Sequence, residues 1–129
     1  MLNLNLEQLL GAIEYLYKAL EILKSVLKEI EAGAVRGMAV SEQLAEAWYK
    51  VNCCRLYIEG DLNLEELNTE AMGLIYDAKC LMDSLIGWKK GMTLHGKFSM
   101  TTSICSASRN ITLALCELED WLSKLTNET

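Results

Sequence analysis

The chain has 129 residues, of which 51% are hydrophobic and 23% are charged, and its formal net charge is −6. This length and composition are typical of one globular domain, here residues 1–129, and exclude an intrinsically disordered chain. Nucleic acid and anionic membrane surfaces bind proteins through clusters of basic residues. The net negative charge and the scattered positions of the 12 Lys and Arg residues therefore argue against both as partners.

The first predicted element is a helix from about Asn5 to Ala32 that ends at Gly33. The chain contains no proline to interrupt it, and glycine is a common residue just past a helix C-terminus. Its apolar residues recur alternately three and four positions apart, which is the a/d pattern of a helix in a bundle. These residues are Leu6, Leu9, Ile13, Leu16, Leu20, Leu23, Leu27 and Ile30.

A second helix is predicted over residues 41–59, with Ser41 as its N-cap and Gly60 and Asp61 as its end. Serine is favoured at this position because its side-chain oxygen accepts a hydrogen bond from the first turn. The predicted inward face consists of Leu44, Ala47, Val51, Cys54 and Ile58.

A third helix is predicted over residues 63–90. Its expected N-cap is Asn63. Acidic side chains stabilise the N-terminal end of a helix dipole and basic side chains its C-terminal end. The predicted helix has Glu65 and Glu66 at its start and Lys89 and Lys90 at its end. The inward positions are expected to be Leu64, Leu67, Ala71, Leu74, Ala78, Leu81, Leu85 and Trp88.

Residues 91–99, with glycines at Gly91 and Gly96, are predicted to form a loop. The fourth helix then covers residues 100–125. Its inward face is expected to contain Ile104, Ala107, Ile111, Ala114, Leu118, Trp121 and Leu125.

Four helices with short connections predict an all-α, antiparallel, up-down-up-down four-helix bundle. The alternative is a pair of helical hairpins that completes its core only in a dimer.

No residue pattern in the chain indicates catalysis. His95 is the single histidine, and its place in the predicted glycine-flanked loop is typical of an exposed surface residue, not of a phosphoacceptor or general base. A di-iron bundle requires two Glu-x-x-His pairs and is therefore excluded. We expect a protein that is not an enzyme and that has no cofactor and no metal site.

The cysteines and the N-terminus suggest a compartment. Five cysteines without a C-x-x-C spacing predict buried thiols in a reducing cytosol, not disulfides or a zinc site. The residues after Met1 lack the basic start and long apolar run of a signal peptide, so we expect a cytoplasmic chain that does not span a membrane. The cysteines are Cys53, Cys54, Cys80, Cys105 and Cys116.

The unusual feature is a second apolar stripe on the second helix, opposite its inward face. It contains Ala45, Tyr49, Cys53 and Leu56, and Tyr15 and Ile22 are similarly placed outside the main seam of the first helix. A contiguous apolar stripe on the outside of a small bundle is typical of a protein contact. These six residues are the candidate interface, with a second copy or another protein as the partner.

The sequence thus favours a non-catalytic interaction or adaptor protein that forms a homodimer through its second helix. The alternative is a small-molecule sensor that binds its ligand in the apolar core. In that case an apolar cavity would be lined by Met72, Met82, Met100, Trp88 and Trp121.

Overall fold

The computed structural model describes residues 4–33, 37–85 and 94–127, and the regular elements in these ranges are α-helices. Each helix packs against the next one, and the first packs against the fourth, as in a four-helix bundle. The all-α prediction is therefore confirmed. The helices are α1 (Leu6–Ala32), α2 (Gly37–Tyr57), α3 (Leu62–Leu85) and α4 (Leu94–Asn127).

Both ends of α1 lie where the sequence places them. The Asn5 side chain accepts from the Gln8 backbone N–H at 2.8 Å, and the Gln8 side chain accepts from the Asn5 N–H at 3.1 Å. This reciprocal capping satisfies two donors that the helix itself leaves unpaired. Gly33 follows the last turn with φ = 72°, a left-handed conformation that favours glycine.

The start of α2 differs from the prediction, because the helix begins at Gly37 and Ser41 lies inside it. Ser41 is buried, and its hydroxyl donates a hydrogen bond to Asp83 of α3 instead of capping its own helix. Val40, one residue earlier, is also buried. The additional turn thus extends the packed face of α2, and tertiary burial outweighs the local preference of serine for an N-cap.

The predicted N-cap of α3, in the turn after α2, is also wrong. Asp61, not Asn63, caps α3, since the Leu64 N–H donates to the Asp61 carboxylate at 3.1 Å. The Asn63 side chain instead donates to Glu117 of α4. Just before this cap, Gly60 adopts φ = 104°, a value that side-chain-bearing residues rarely take.

The predicted loop over 91–99 is wrong from residue 94 onward, because α4 already begins at Leu94. His95 and Gly96 thus lie in the first turn of a helix, with His95 exposed. One glycine costs a helix only about 1 kcal/mol, so that Gly96 does not prevent α4 from beginning before the predicted boundary. The predicted end of the third helix near Lys90 lies outside the described residues.

The four helices share one apolar core. The inward faces predicted for α2 and α4 are buried, apart from Trp121 and Leu125, which are half-buried. In α1 the core includes three smaller flanking residues, while Leu6 is exposed and Leu20 and Leu27 are half-buried. Those flanking residues are Ala12, Ala19 and Val26.

The buried face of α3 differs most from its predicted seam. Leu67, Leu74 and Leu81 are only half-buried. The fully or nearly fully buried positions are instead Leu64, Asn68, Ala71, Ile75, Ala78 and Met82. At every second position, this row lies one residue after the predicted seam. Because α3 packs against both α2 and α4, its contact face is wider than a two-helix seam, and the leucines lie at the margin of that face.

Candidate functional site

The outer face of α2 presents large apolar side chains to solvent. Met38, Tyr49 and Leu56 have 65%, 57% and 61% of their surface exposed, respectively. Their separations of 11 and 7 residues correspond to about three and two helical turns, so they lie along one side of the helix. Ala45 and Cys53 lie on the same side and are half-buried. We call these five residues the α2 outer face.

Met38 was missed by the sequence prediction. The second helix was predicted to begin at Ser41, so that Met38 fell outside the stripe. The seven-residue interval from Met38 to Ala45 was the signal that could have identified it.

Tyr49 is electrically neutral at physiological pH. The Cys53 thiol, one turn further along the helix, raises the pKa of Tyr49 above its ordinary value. The phenol therefore stays protonated, and the centre of the α2 outer face carries no charge from this residue.

The two candidate interface residues of α1 are less exposed than Tyr49 and Leu56 of α2. Tyr15 is half-buried, and its ring stacks on that of Tyr57 with centroids 6.0 Å apart, while the Lys50 ammonium lies 5.8 Å from the Tyr15 centroid. Ile22 is half-buried and packs against the core. Their participation in an interface stays a prediction.

A shallow apolar groove of about 230 Å³ lies between α2 and α3, next to the α2 outer face. The small side chain of Ala45 and the ring of Trp48 contribute to its wall, and Tyr76 and Lys79 of α3 form the opposite side. The groove therefore widens the apolar surface around Ala45.

A second groove, of about 660 Å³, lies between α1 and α4. Leu6, Leu10 and Tyr17 are about half exposed along it. The Tyr17 hydroxyl donates a hydrogen bond to Glu119 across the groove, and this bond raises the pKa of Tyr17. The groove is thus crossed by a polar contact between α1 and α4.

The residues proposed for ligand binding in the core do not line either of these grooves. Met82 and Met100 are buried within the core, whereas Met72 and Trp121 are half-buried at its margin. Trp88 lies outside the described residues. Small-molecule binding in the core stays a prediction.

The cysteine prediction is wrong for three of the five residues. Cys80, Cys105 and Cys116 are exposed, Cys53 is half-buried, and all five thiols are free. Only Cys54 is buried, and this burial raises its pKa to about 12, although the Asn68 side chain acts in the opposite direction. Cys54 therefore remains a protonated, unreactive thiol at neutral pH.

We expect the thiols to separate into reactivity classes. In the native protein at pH 8, Cys80, Cys105 and Cys116 should be alkylated by iodoacetamide within minutes, while Cys54 should react only after unfolding. Peptide mass spectrometry after timed quenching measures this order, and denatured protein is the control. Labelling of Cys54 at the rate of Cys105 would show that the core around α2 opens readily.

Among the described residues, no group of three or more His, Cys, Asp and Glu side chains is placed to hold a metal ion. Within the same ranges, no helix combines the length and apolar character needed to cross a membrane. Comparison of the chain with protein-family models, curated protein sequences and solved structures finds no match.

Proposed function

We propose that this protein is a non-catalytic interaction or adaptor protein of the cytoplasm that forms a homodimer through the α2 outer face. The observation that carries the proposal is the alignment of Met38, Tyr49 and Leu56, each more than half exposed, on one side of one helix. Removing such surface from water stabilises a complex by about 25 cal/mol per Å². Aligned apolar side chains of this size are typical of association surfaces.

A second copy of the chain is the partner that the charges favour. Glu42 lies near the start of α2 and Arg55 near its end, on or beside the outer face. Two copies of α2 that run in opposite directions bring each acidic end to a basic end. The free cysteines support a cytoplasmic location, because exposed thiols persist in a reducing compartment.

Within each chain we propose the up-down-up-down, antiparallel arrangement. Ser41, near the start of α2, donates to Asp83, near the end of α3. Between α3 and α4, Asn63 pairs with Glu117, and Asn110 pairs with Glu70 at 3.1 Å. Partner numbers that rise on one helix and fall on the next support antiparallel neighbours.

The substitution Leu56→Glu tests the proposed dimer. Wild-type protein at micromolar concentration should scatter light as a dimer, and Leu56→Glu should be a monomer, because the carboxylate would be buried at the interface without a partner. The helical circular dichroism should be unchanged, since Leu56 is exposed in the chain.

Leu113→Glu is the matched control, because Leu113 is an exposed leucine on α4. This variant should remain a dimer. A monomeric wild type, or a dimer that persists in Leu56→Glu, would contradict the proposed function.

A further inference from the structure

The outer side of α2 carries a seam with the spacing of a coiled coil, separate from the seam that packs into the core. From Met38 onward, its positions follow one another at intervals of four and three residues, and none of them is buried. This spacing keeps side chains in line against a partner helix. The outer seam consists of Met38, Glu42, Ala45, Tyr49, Asn52 and Leu56.

We propose that two copies pair through antiparallel α2 helices in a single register, with the two-fold axis beside residue 47. The inference rests on the homodimer proposed above and specifies its geometry. In a two-fold pair, residue i contacts residue j of the copy, and j contacts i. The six seam residues form three such pairs, and the two members of each pair are equally far from residue 47. Met38 pairs with Leu56 at nine positions, Glu42 with Asn52 at five, and Ala45 with Tyr49 at two.

The two apolar pairs are complementary in size. Met38 and Leu56 are both large and exposed, so that their contact removes apolar surface from water at both ends of the interface. Near the axis, the large ring of Tyr49 meets the small side chain of Ala45. The groove beside Ala45 provides room for that ring, and its wall includes Trp48 and Tyr76. A large residue opposite a small one fills space as in a protein core.

The polar pair is complementary in charge and hydrogen bonding. The Asn52 side-chain oxygen accepts from the Arg55 Nε–H at 3.2 Å, so that the Asn52 amide and the guanidinium lie next to each other. In the proposed register, the Glu42 carboxylate of the copy reaches both of these donors. Hydrogen bonds between charged groups are stronger than neutral ones.

The same residues disfavour a parallel pair. In a parallel dimer each seam residue would face its own copy, so that two Glu42 carboxylates would meet and two Ala45 methyl groups would leave a gap. In the antiparallel register Glu46, at the exposed edge of the seam, is the acidic residue that approaches its own copy, and solvent screens that repulsion.

Cross-linking through Cys53 tests the register. In a background with Cys80→Ser, Cys105→Ser and Cys116→Ser, the two Cys53 residues of an antiparallel dimer lie about 18 Å apart, from the helical rise of about 1.5 Å per residue. A short bismaleimide should therefore give no cross-linked dimer. Adding Ala39→Cys places a thiol within about 3 Å, along the helix axis, of Cys53 of the copy, since the two residues lie eight and six positions from residue 47. This variant should convert most of the protein to a cross-linked dimer.

Charge reversal is the second measurement. Glu42→Arg should weaken the dimer about tenfold or more in sedimentation experiments, because it meets Arg55 of the copy. The double variant with Glu42→Arg and Arg55→Glu should restore the affinity. Neither change alters a buried residue, so the fold should be retained.

The outcomes separate the register from the dimer itself. A wild-type monomer by light scattering would overturn both the proposed function and this inference. A dimer that cross-links through Cys53 without Ala39→Cys would overturn only the antiparallel register. A dimer that does not cross-link even with Ala39→Cys, or that the double charge reversal fails to restore, would overturn the register as well.

Discussion

Replacement of Ile75 by alanine is expected to lower the free energy of unfolding by about 2–5 kcal/mol. The Ile75 side chain is completely buried in the core, so that truncation removes buried apolar surface and leaves a cavity between the helices. Urea denaturation followed by circular dichroism measures the change.

Leu74→Ala is the matched control on the neighbouring position. Leu74 is half-buried at the margin of the core, and its truncation should cost less than about 2 kcal/mol. The comparison also tests the orientation of α3, because the predicted seam buries Leu74 and the structure buries Ile75. A larger loss for Leu74→Ala would restore the predicted seam.

The second large effect is expected at Asn68, where substitution should increase stability. Asn68 is completely buried in α3, and its amide nitrogen and oxygen form no hydrogen bond of normal geometry, while the Cys54 thiol, whose pKa this side chain lowers, is only a weak hydrogen-bonding group. A buried polar group without a partner costs about 1–3 kcal/mol. Leucine has a similar shape and no such cost, so Asn68→Leu should raise the free energy of unfolding by about that amount.

Asn110→Leu is the control for this prediction. The Asn110 amide donates to Glu70 near the surface, so that its replacement should give no gain. Urea denaturation of both variants provides the comparison. A loss of stability in Asn68→Leu would show that the core supplies this amide with a hydrogen bond, from a buried water or from the nearby Cys54 thiol.

Asn68 also explains why the buried face of α3 was assigned incorrectly from the sequence. An asparagine within a leucine-rich helix is read as a surface residue, since polar groups are rarely buried without partners. The seam was therefore drawn through Leu67 and Leu74 instead of Asn68 and Ile75. Further along α3, positions 74/75 and 81/82 each hold two neighbouring apolar residues, so that apolar spacing alone fits either row.

The candidate site was predicted in part. The spacing of Tyr49, Cys53 and Leu56 placed them on one side of α2, because helical periodicity is a local property. Met38 joins that side only because α2 begins at Gly37. The half-buried positions of Tyr15 and Ile22 depend on how α1 packs against its neighbours, which periodicity does not contain.

Local signals in the sequence determined the ends of α1 and the inward faces of α2 and α4, because capping residues and apolar spacing act within a few turns. Tertiary packing decided the start of α2. Burial of Val40 extends this helix beyond its apparent boundary, since apolar burial outweighs a lost serine cap. The start of α4 was missed because Gly96 was taken as a loop residue, although one glycine costs a helix only about 1 kcal/mol. Packing also exposed Cys80, Cys105 and Cys116, because the side that a helix turns to solvent depends on where its neighbours lie.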